Sequence, residues 1–185
     1  LIIAKIIPAL LVGCTVVLKP SPETPLDALL LAQMIDEAGF PPGVVSIVPG
    51  GADAGAHLVG HRDVDKITFT GSTAVGRAIG ARCGEDLRRV TLELGGKSAA
   101  IVLDDANIEK TVRGLRFSSF MNNGQACAAQ TRILVSRANL DGFVDAMAAS
   151  VTEMPCGDPN DEATEGGPLV NERQWRRVQG DIKLG

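Results

Sequence analysis

Lys66-Ile67-Thr68-Phe69-Thr70-Gly71-Ser72-Thr73-Ala74-Val75-Gly76 is the stretch on which the reading of the fold turns. Its first four residues predict a β-strand, Gly71-Ser72 a tight turn, and residues 73–82 a helix. A strand that turns straight into a helix leaves backbone N–H groups unpaired beside the positive end of the helix, a ready seat for phosphate. The same residues also describe an ordinary capped helix start. They lack the G-x-G-x-x-G dinucleotide fingerprint.

Outward from this unit, helical and strand patterns alternate. Residues 1–12 predict a buried helix ended by Gly13, and residues 15–18 a buried strand. Thr24-Pro25-Leu26-Asp27 predicts a helix start, with Thr24 as cap, Pro25 in the first turn and Asp27 closing the box; Gly39 ends that helix. Residues 44–48 form the next strand, followed by Pro49-Gly50-Gly51 and a short helix over 54–59. Downstream, strands over 90–94 and 99–103 flank Gly95-Gly96. A helix over 108–121, a strand over 133–135 and an amphipathic helix over 140–151 follow. Residues 154–168, rich in Pro, Gly, Asp and Glu, predict a surface loop. Strand and helix in alternation require crossover connections, so the expected fold is α/β with a mostly parallel sheet.

Composition removes several functions. With 185 residues and 45% apolar content the chain can build a core, which excludes intrinsic disorder. Aromatics at 3% and a net charge of −4 argue against a nucleic-acid partner. Cys14, Cys83, Cys127 and Cys156 are far apart with no C-x-x-C pair, so neither a disulfide scaffold nor a zinc site is expected; a reducing, cytoplasmic compartment is. Lys5, Pro8 and Gly13 break the apolar opening run, which argues against a membrane span. The chain opens at Leu1 rather than Met and stops inside a helical pattern, and is expected to be a piece of a longer protein.

Two further segments carry chemistry. In Leu92-Glu93-Leu94-Gly95-Gly96-Lys97-Ser98 a carboxylate ends an apolar strand before two glycines. Glu93 there is either a solvated strand end or a general base in a cleft that glycine lets a ligand approach. In Phe120-Met121-Asn122-Asn123-Gly124-Gln125-Ala126-Cys127-Ala128 a cysteine follows a polar turn just past a helix. Most cysteines are inert and buried. An irregular, accessible segment is where a thiolate nucleophile would sit. Cys14, Cys83 and Cys156 read as non-catalytic, His57 and His61 as surface residues, and Arg176-Arg177 as a solvated helix face.

Taken together, and with Lys19-Pro20-Ser21-Pro22-Glu23-Thr24-Pro25 and Ala38-Gly39-Phe40-Pro41-Pro42-Gly43-Val44, these segments resemble the aldehyde dehydrogenase superfamily over essentially the whole chain. The resemblance implies that residues 1–95 are part of a Rossmann-like, parallel-sheet NAD(P)-binding domain and residues 96–185 the first part of an α/β catalytic domain. Cys127 matches the family's nucleophile and Glu93 its general base. Lys19 matches the lysine that bonds the adenosine ribose, and Gly71 and Ser72 the turn at the pyrophosphate. Phe69 and Val75 would flank the adenine end, Gly51 and Gly55 fall in the preceding glycine-bearing turn, and Leu94 and Gly95 would lie near the nicotinamide. The implied reaction oxidises an aldehyde to a carboxylic acid with NAD or NADP, NAD being favoured, through a thiohemiacetal and a thioester on Cys127.

The expected partners are a small aldehyde substrate and, for the whole protein, further copies of itself. The family's oxyanion Asn would precede Leu1, and its Glu-x-Phe-Gly-Pro segment would follow Gly185. The 185 residues alone are therefore expected to be inactive. A CoA-acylating relative and a non-catalytic nucleotide-binding fragment are the competing readings. One departure concerns cofactor choice: many NAD-preferring members carry Glu three residues after the lysine, and here Pro22 stands in that place.

Overall fold

The computed structural model describes residues 1–184. They fall into two compact units, Leu1–Glu93 and a second beginning at Leu94.

In the first unit, β1 (Val16–Leu18) and β2 (Val45–Ile47) run parallel, Val16 beside Val45 and Leu18 beside Ile47. The helix α1 (Ile2–Leu11) precedes β1, and α2 (Leu26–Glu37) is the crossover between the two strands. From β2 the chain passes through α3 (Ala52–Gly60) to β3 (Lys66–Gly71), and α4 (Thr73–Glu85) joins β3 to its neighbour β4 (Arg89–Leu94). Among the described residues of this unit the strands pair as β1–β2 and β3–β4.

The expected cap of α2 is not formed. Thr24 is drawn into a turn, its N–H donating to Ser21 O at 3.2 Å. Pro25 then occupies the capping position with helical backbone angles and has no side-chain oxygen to offer. Asp27 Oδ1 accepts from the Ala28 N–H at 2.9 Å instead. The expected burial of residues 1–12 also fails. Within α1 only Ile6 is buried, whereas Leu11 is 81% exposed. A helix buries only the stripe that another element covers, and α1 packs chiefly against β1. No helix among the described residues is long and apolar enough to cross a membrane.

Arg88, between α4 and β4, ties this unit together. Its Nη1 donates to His61 O at 3.0 Å and Val64 O at 3.3 Å, and its Nη2 to Asp86 at 2.6 Å. That guanidinium holds the Asp86 carboxyl below its ordinary pKa, with help from Arg82.

In the second unit β5 (Ser98–Val102) and β6 (Gln130–Val135) run parallel, and α5 (Ile108–Phe120) crosses between them. Asn107 caps α5 by accepting from the Lys110 N–H at 2.8 Å. The amphipathic α6 (Leu140–Thr152) packs beside α5, and Val112, Leu115 and Phe143 close over Ala100 and Val102 to form the core. Alternate residues of a strand face opposite ways. Ile101 and Leu134 accordingly point away from these helices and are exposed. The loop before α7 (Glu172–Leu184) is held by a parallel bridge between Cys156 and Gly166. That terminal helix goes beyond the started pattern read from the sequence.

Candidate functional site

Lys19 leaves the carboxyl end of β1 and turns its ammonium toward the end of β2. Its Nζ donates to Pro20 O at 2.6 Å and Gly50 O at 2.9 Å. An ammonium has three hydrogens, so one donor remains for a ligand. The carboxyl ends of parallel strands are where open α/β sheets bind ligands. Glycine makes the lysine's course possible. A Cβ at Gly55 would lie 3.4 Å from Lys19 Cε, and one at Gly50 only 2.6 Å from the Cβ of Ala54. Gly51, at the start of α3, is extended and exposed, and a Cβ there would meet nothing.

The second cluster is the turn after β3. Ser72 caps α4, its Oγ accepting from the Val75 N–H at 3.4 Å. The Thr73 and Ala74 N–H groups lie in the first turn, beyond the reach of any helix carbonyl. The ring of half-buried Phe69 lies over Gly71. A Cβ on Gly71 would come within 2.5 Å of Phe69 Cζ and 3.0 Å of Cε1. What favours glycine there is contact with that ring, not a positive φ. Val75 is 47% exposed, on the outer side of the first turn of α4. The turn thus offers unpaired N–H groups at a helix start beside a glycine surface.

Gly71→Ala tests that surface. The added methyl must displace the far end of the half-buried Phe69 ring, which costs less than the about 1–3 kcal/mol of overpacking a closed core. The expected result is a lowered melting temperature together with weaker dinucleotide binding, read by calorimetry on the full-length protein. Unchanged binding would mean the Phe69 ring moves freely and is no part of the cofactor surface.

Glu93 is the next-to-last residue of β4 and is exposed. Leu94, half-buried, ends the strand, and Gly95 and Gly96 follow in the open, where a Cβ on either would meet no atom.

Cys127 belongs to the second unit. Beyond α5 the chain enters a 3-10 turn, Met121–Gly124, in which Asn122, Asn123 and Gly124 have φ of 52°, 58° and 73°. Cys127 follows, exposed, three residues past Gly124. Ser119 Oγ donates to Gln130 O at 2.7 Å and Ser118 Oγ to Gln130 Oε1 at 2.7 Å, which fastens the end of α5 to the start of β6. The segment from 121 to 129 is thus a loop anchored at both stems, with the thiol near its end. Exposure alone does not select Cys127, because Cys14 and Cys156 are exposed too; Cys83 is wholly buried in α4.

Sequence reasoning missed the side chains that hold this loop. Asn123 and Gln125 bond a segment 44 to 45 residues further on. No local pattern carries that signal. His57 and His61 meet edge to face at 5.6 Å between ring centres, and His61 Nδ1 accepts from the Asp63 N–H at 3.3 Å. Among the described residues no group of three or more His, Cys, Asp or Glu could hold a metal ion.

The whole chain, residues 1–185, matches the aldehyde dehydrogenase family. It is 52% identical over 183 residues to the geranial dehydrogenase of Castellaniella defragrans, covering 99% of this chain and 38% of that protein. It is 48% identical to human mitochondrial aldehyde dehydrogenase, covering 98% of this chain and 35% of that one. A crystal structure of Mycobacterium tuberculosis aldehyde dehydrogenase complexed with NAD+ superimposes with a TM-score of 0.94 at 51% identity, over 97% of this chain and 37% of that chain. The chain therefore spans little more than a third of the length of these relatives. The α/β, Rossmann-like architecture, the glycine-lined turns and the family match over every residue agree, and the chain belongs to the aldehyde dehydrogenase family.

Proposed function

We propose that the full-length protein oxidises an aldehyde to a carboxylic acid with NAD or NADP. The observation that carries this reading is the family match over the whole chain, joined to an exposed thiol on an anchored loop. Residues 1–95 form part of the dinucleotide-binding domain and residues 96–185 the first part of the catalytic domain. In this reading Lys19 bonds the adenosine ribose. Gly51 and Gly55 leave room beside it, Gly71 and Ser72 receive the pyrophosphate, and Phe69 and Val75 border the adenine. Leu94 and Gly95 lie by the nicotinamide.

The Cys127 thiolate adds to the aldehyde carbon, and the Cys127 backbone N–H helps hold the oxyanion that forms. A bound dinucleotide would supply the hydride acceptor, and loss of hydride from the Cys127 adduct would leave an acyl thioester on Cys127. Glu93 removes a proton from water as that water attacks the thioester carbonyl, and the acid departs as Cys127 is regenerated. A protein with unpaired cysteines doing thiolate chemistry suits a reducing compartment such as the cytoplasm. Supplying the full-length protein with an aldehyde panel and NAD should yield reduced dinucleotide and carboxylic acid in equal amounts. Formation of an acyl-CoA instead, dependent on added CoA, would replace hydrolysis by thiol transfer.

Cofactor choice gives a second test. Pro22 has neither charge nor side-chain acceptor with which to repel a 2′-phosphate, and Lys19 remains to attract one. Specificity of this kind rests on repulsion. Reading residues 19–23 as extended turns Glu23 away from the Lys19 side. The structure instead bends the chain at Ser21–Thr24, where Ser21 Oγ accepts from the Glu23 N–H at 3.3 Å, so strand alternation does not set the direction of Glu23. The expected kcat/KM values for NAD and NADP differ by less than about 10³-fold, with NAD preferred. A larger ratio that collapses in Glu23→Gln would assign the repulsion to Glu23.

A further inference from the structure

The turn that carries Cys127 is held by bonds between Asn122 and Gln125 and also from outside its own sequence. Asn122, Asn123 and Gly124 take left-handed backbone angles in succession. Asn and Gly accept that conformation more readily than other residues, but a run of three such residues still gains from support by its surroundings. Two side-chain amides give that support here, each using its donor and its acceptor end. Asn123 Nδ2 donates to Pro168 O at 3.0 Å, and Asn123 Oδ1 accepts from the Gly167 N–H at 2.7 Å. Gln125 Nε2 donates to Asn122 O at 3.1 Å, and Gln125 Oε1 accepts from the Val170 N–H at 3.2 Å.

The segment that receives these bonds is itself fixed. Arg116, on α5, grips the Glu165 carboxylate through Nε at 2.9 Å and Nη2 at 2.6 Å, and donates from Nη1 to Ser150 O at 3.0 Å. Such a bidentate pair sets orientation as well as distance. Next to Glu165, Gly166 O accepts from the Gly157 N–H at 2.9 Å. A Cβ on Gly166 would lie 2.8 Å from Cys156 Sγ, so the strap lies close on its own base.

We propose that residues 165–170 act as a splint for the nucleophile turn, and that Asn123 and Gln125 are positioning residues that set the direction in which the Cys127 thiol is presented. This rests on the reading of Cys127 as the nucleophile. Both amides act through the backbone of the turn. The loop before α7 thereby gains a part in the reaction that its surface composition does not advertise.

The test uses three variants of the full-length protein. Asn123→Gly removes both bonds while tolerating the left-handed backbone. Asn123→Asp keeps the acceptor for Gly167 and loses the donor to Pro168. Gln125→Glu keeps the acceptor for Val170 and loses the donor to Asn122. Three quantities are read: the rate of the first-turnover burst of reduced dinucleotide, the dissociation constant for NAD, and the rate of Cys127 alkylation by iodoacetamide, resolved by peptide mass spectrometry.

Misplacement of a reacting group by about 1 Å can cost about 10²-fold, so Asn123→Gly should slow the burst about tenfold or more. Its NAD dissociation constant should stay within about twofold, its alkylation rate should change, and Asn123→Asp and Gln125→Glu should fall between it and wild type. Burst rates within about twofold of wild type in all three variants overturn the splint, as does a slowing matched by equal loss of NAD binding. Should Asn123→Gly fail to fold, the two carboxylate variants decide by the same criteria. Turnover that survives Cys127→Ala would instead remove the nucleophile reading itself. An inactive Cys127→Ala beside an unaltered Asn123→Gly overturns the splint alone.

Discussion

Replacing Cys127 by Ala in the full-length protein is expected to lower turnover by more than about 10³-fold, ~4 kcal/mol of barrier. In the proposed mechanism sulfur holds the acyl group, so its removal should cost both halves of the reaction and not merely one. The comparison with the other cysteines makes the test specific. Cys14 and Cys156 share the exposure of Cys127 but lie outside the loop anchored by Ser118, Ser119 and Gln130, and their Ala variants should keep turnover within about tenfold. Cys83 is fully buried in α4, so Cys83→Ala should change the melting temperature and leave the chemistry of surviving protein alone. If Cys127→Ala retains activity within about tenfold of wild type, the nucleophile lies elsewhere.

Glu93→Gln should separate the two halves. Glu93 sits exposed at the end of β4, where its carboxylate can meet water. Gln keeps the shape and removes the ability to take a proton. General-base catalysis contributes about 10²–10⁴-fold, and steady-state turnover should fall by that order. The first turnover should survive. Rapid mixing should show a burst of reduced dinucleotide near one equivalent per active site, followed by slow release of acid. Loss of the burst together with turnover would move Glu93 to the step that prepares Cys127. Rates equal to wild type would take Glu93 out of the mechanism and revive transfer of the acyl group to a thiol.

The strand, turn and helix around Gly71 were legible because each rests on local chemistry. Alternation over 66–69, a glycine, and a serine able to cap its own helix all act within a few residues. The course of Phe69 over Gly71 was not legible, since it depends on which way one ring turns. At the start of α2 two local signals competed: Thr24 had the chemistry of a cap, but the Ser21–Thr24 turn claimed it and put Pro25 in its place. For α1 the apolar sequence predicted burial, yet apolarity states only a preference for cover, and the described elements cover little beyond Ile6. Cys127 and Glu93 were singled out as candidates from their motifs. The amides of Asn123 and Gln125 were not, because their partners arrive from the loop before α7 and leave no periodicity, charge pattern or spacing near the turn.

The left-handed Asn123-Gly124 step also bears on how the protein ages. Asparagine before glycine is the sequence most prone to spontaneous deamidation, which begins when the glycine nitrogen attacks the side-chain amide carbon to form a succinimide. Here the carbonyl oxygen of that amide is held by Gly167 and its nitrogen by Pro168, with backbone ψ at 35°, so the ring cannot close without breaking both bonds. The fold shelters a bond that the unfolded chain would lose over time. Conversion of Asn123 to aspartate or isoaspartate would place a negative charge opposite the Pro168 carbonyl and cost the turn the bond donated by the Asn123 amide.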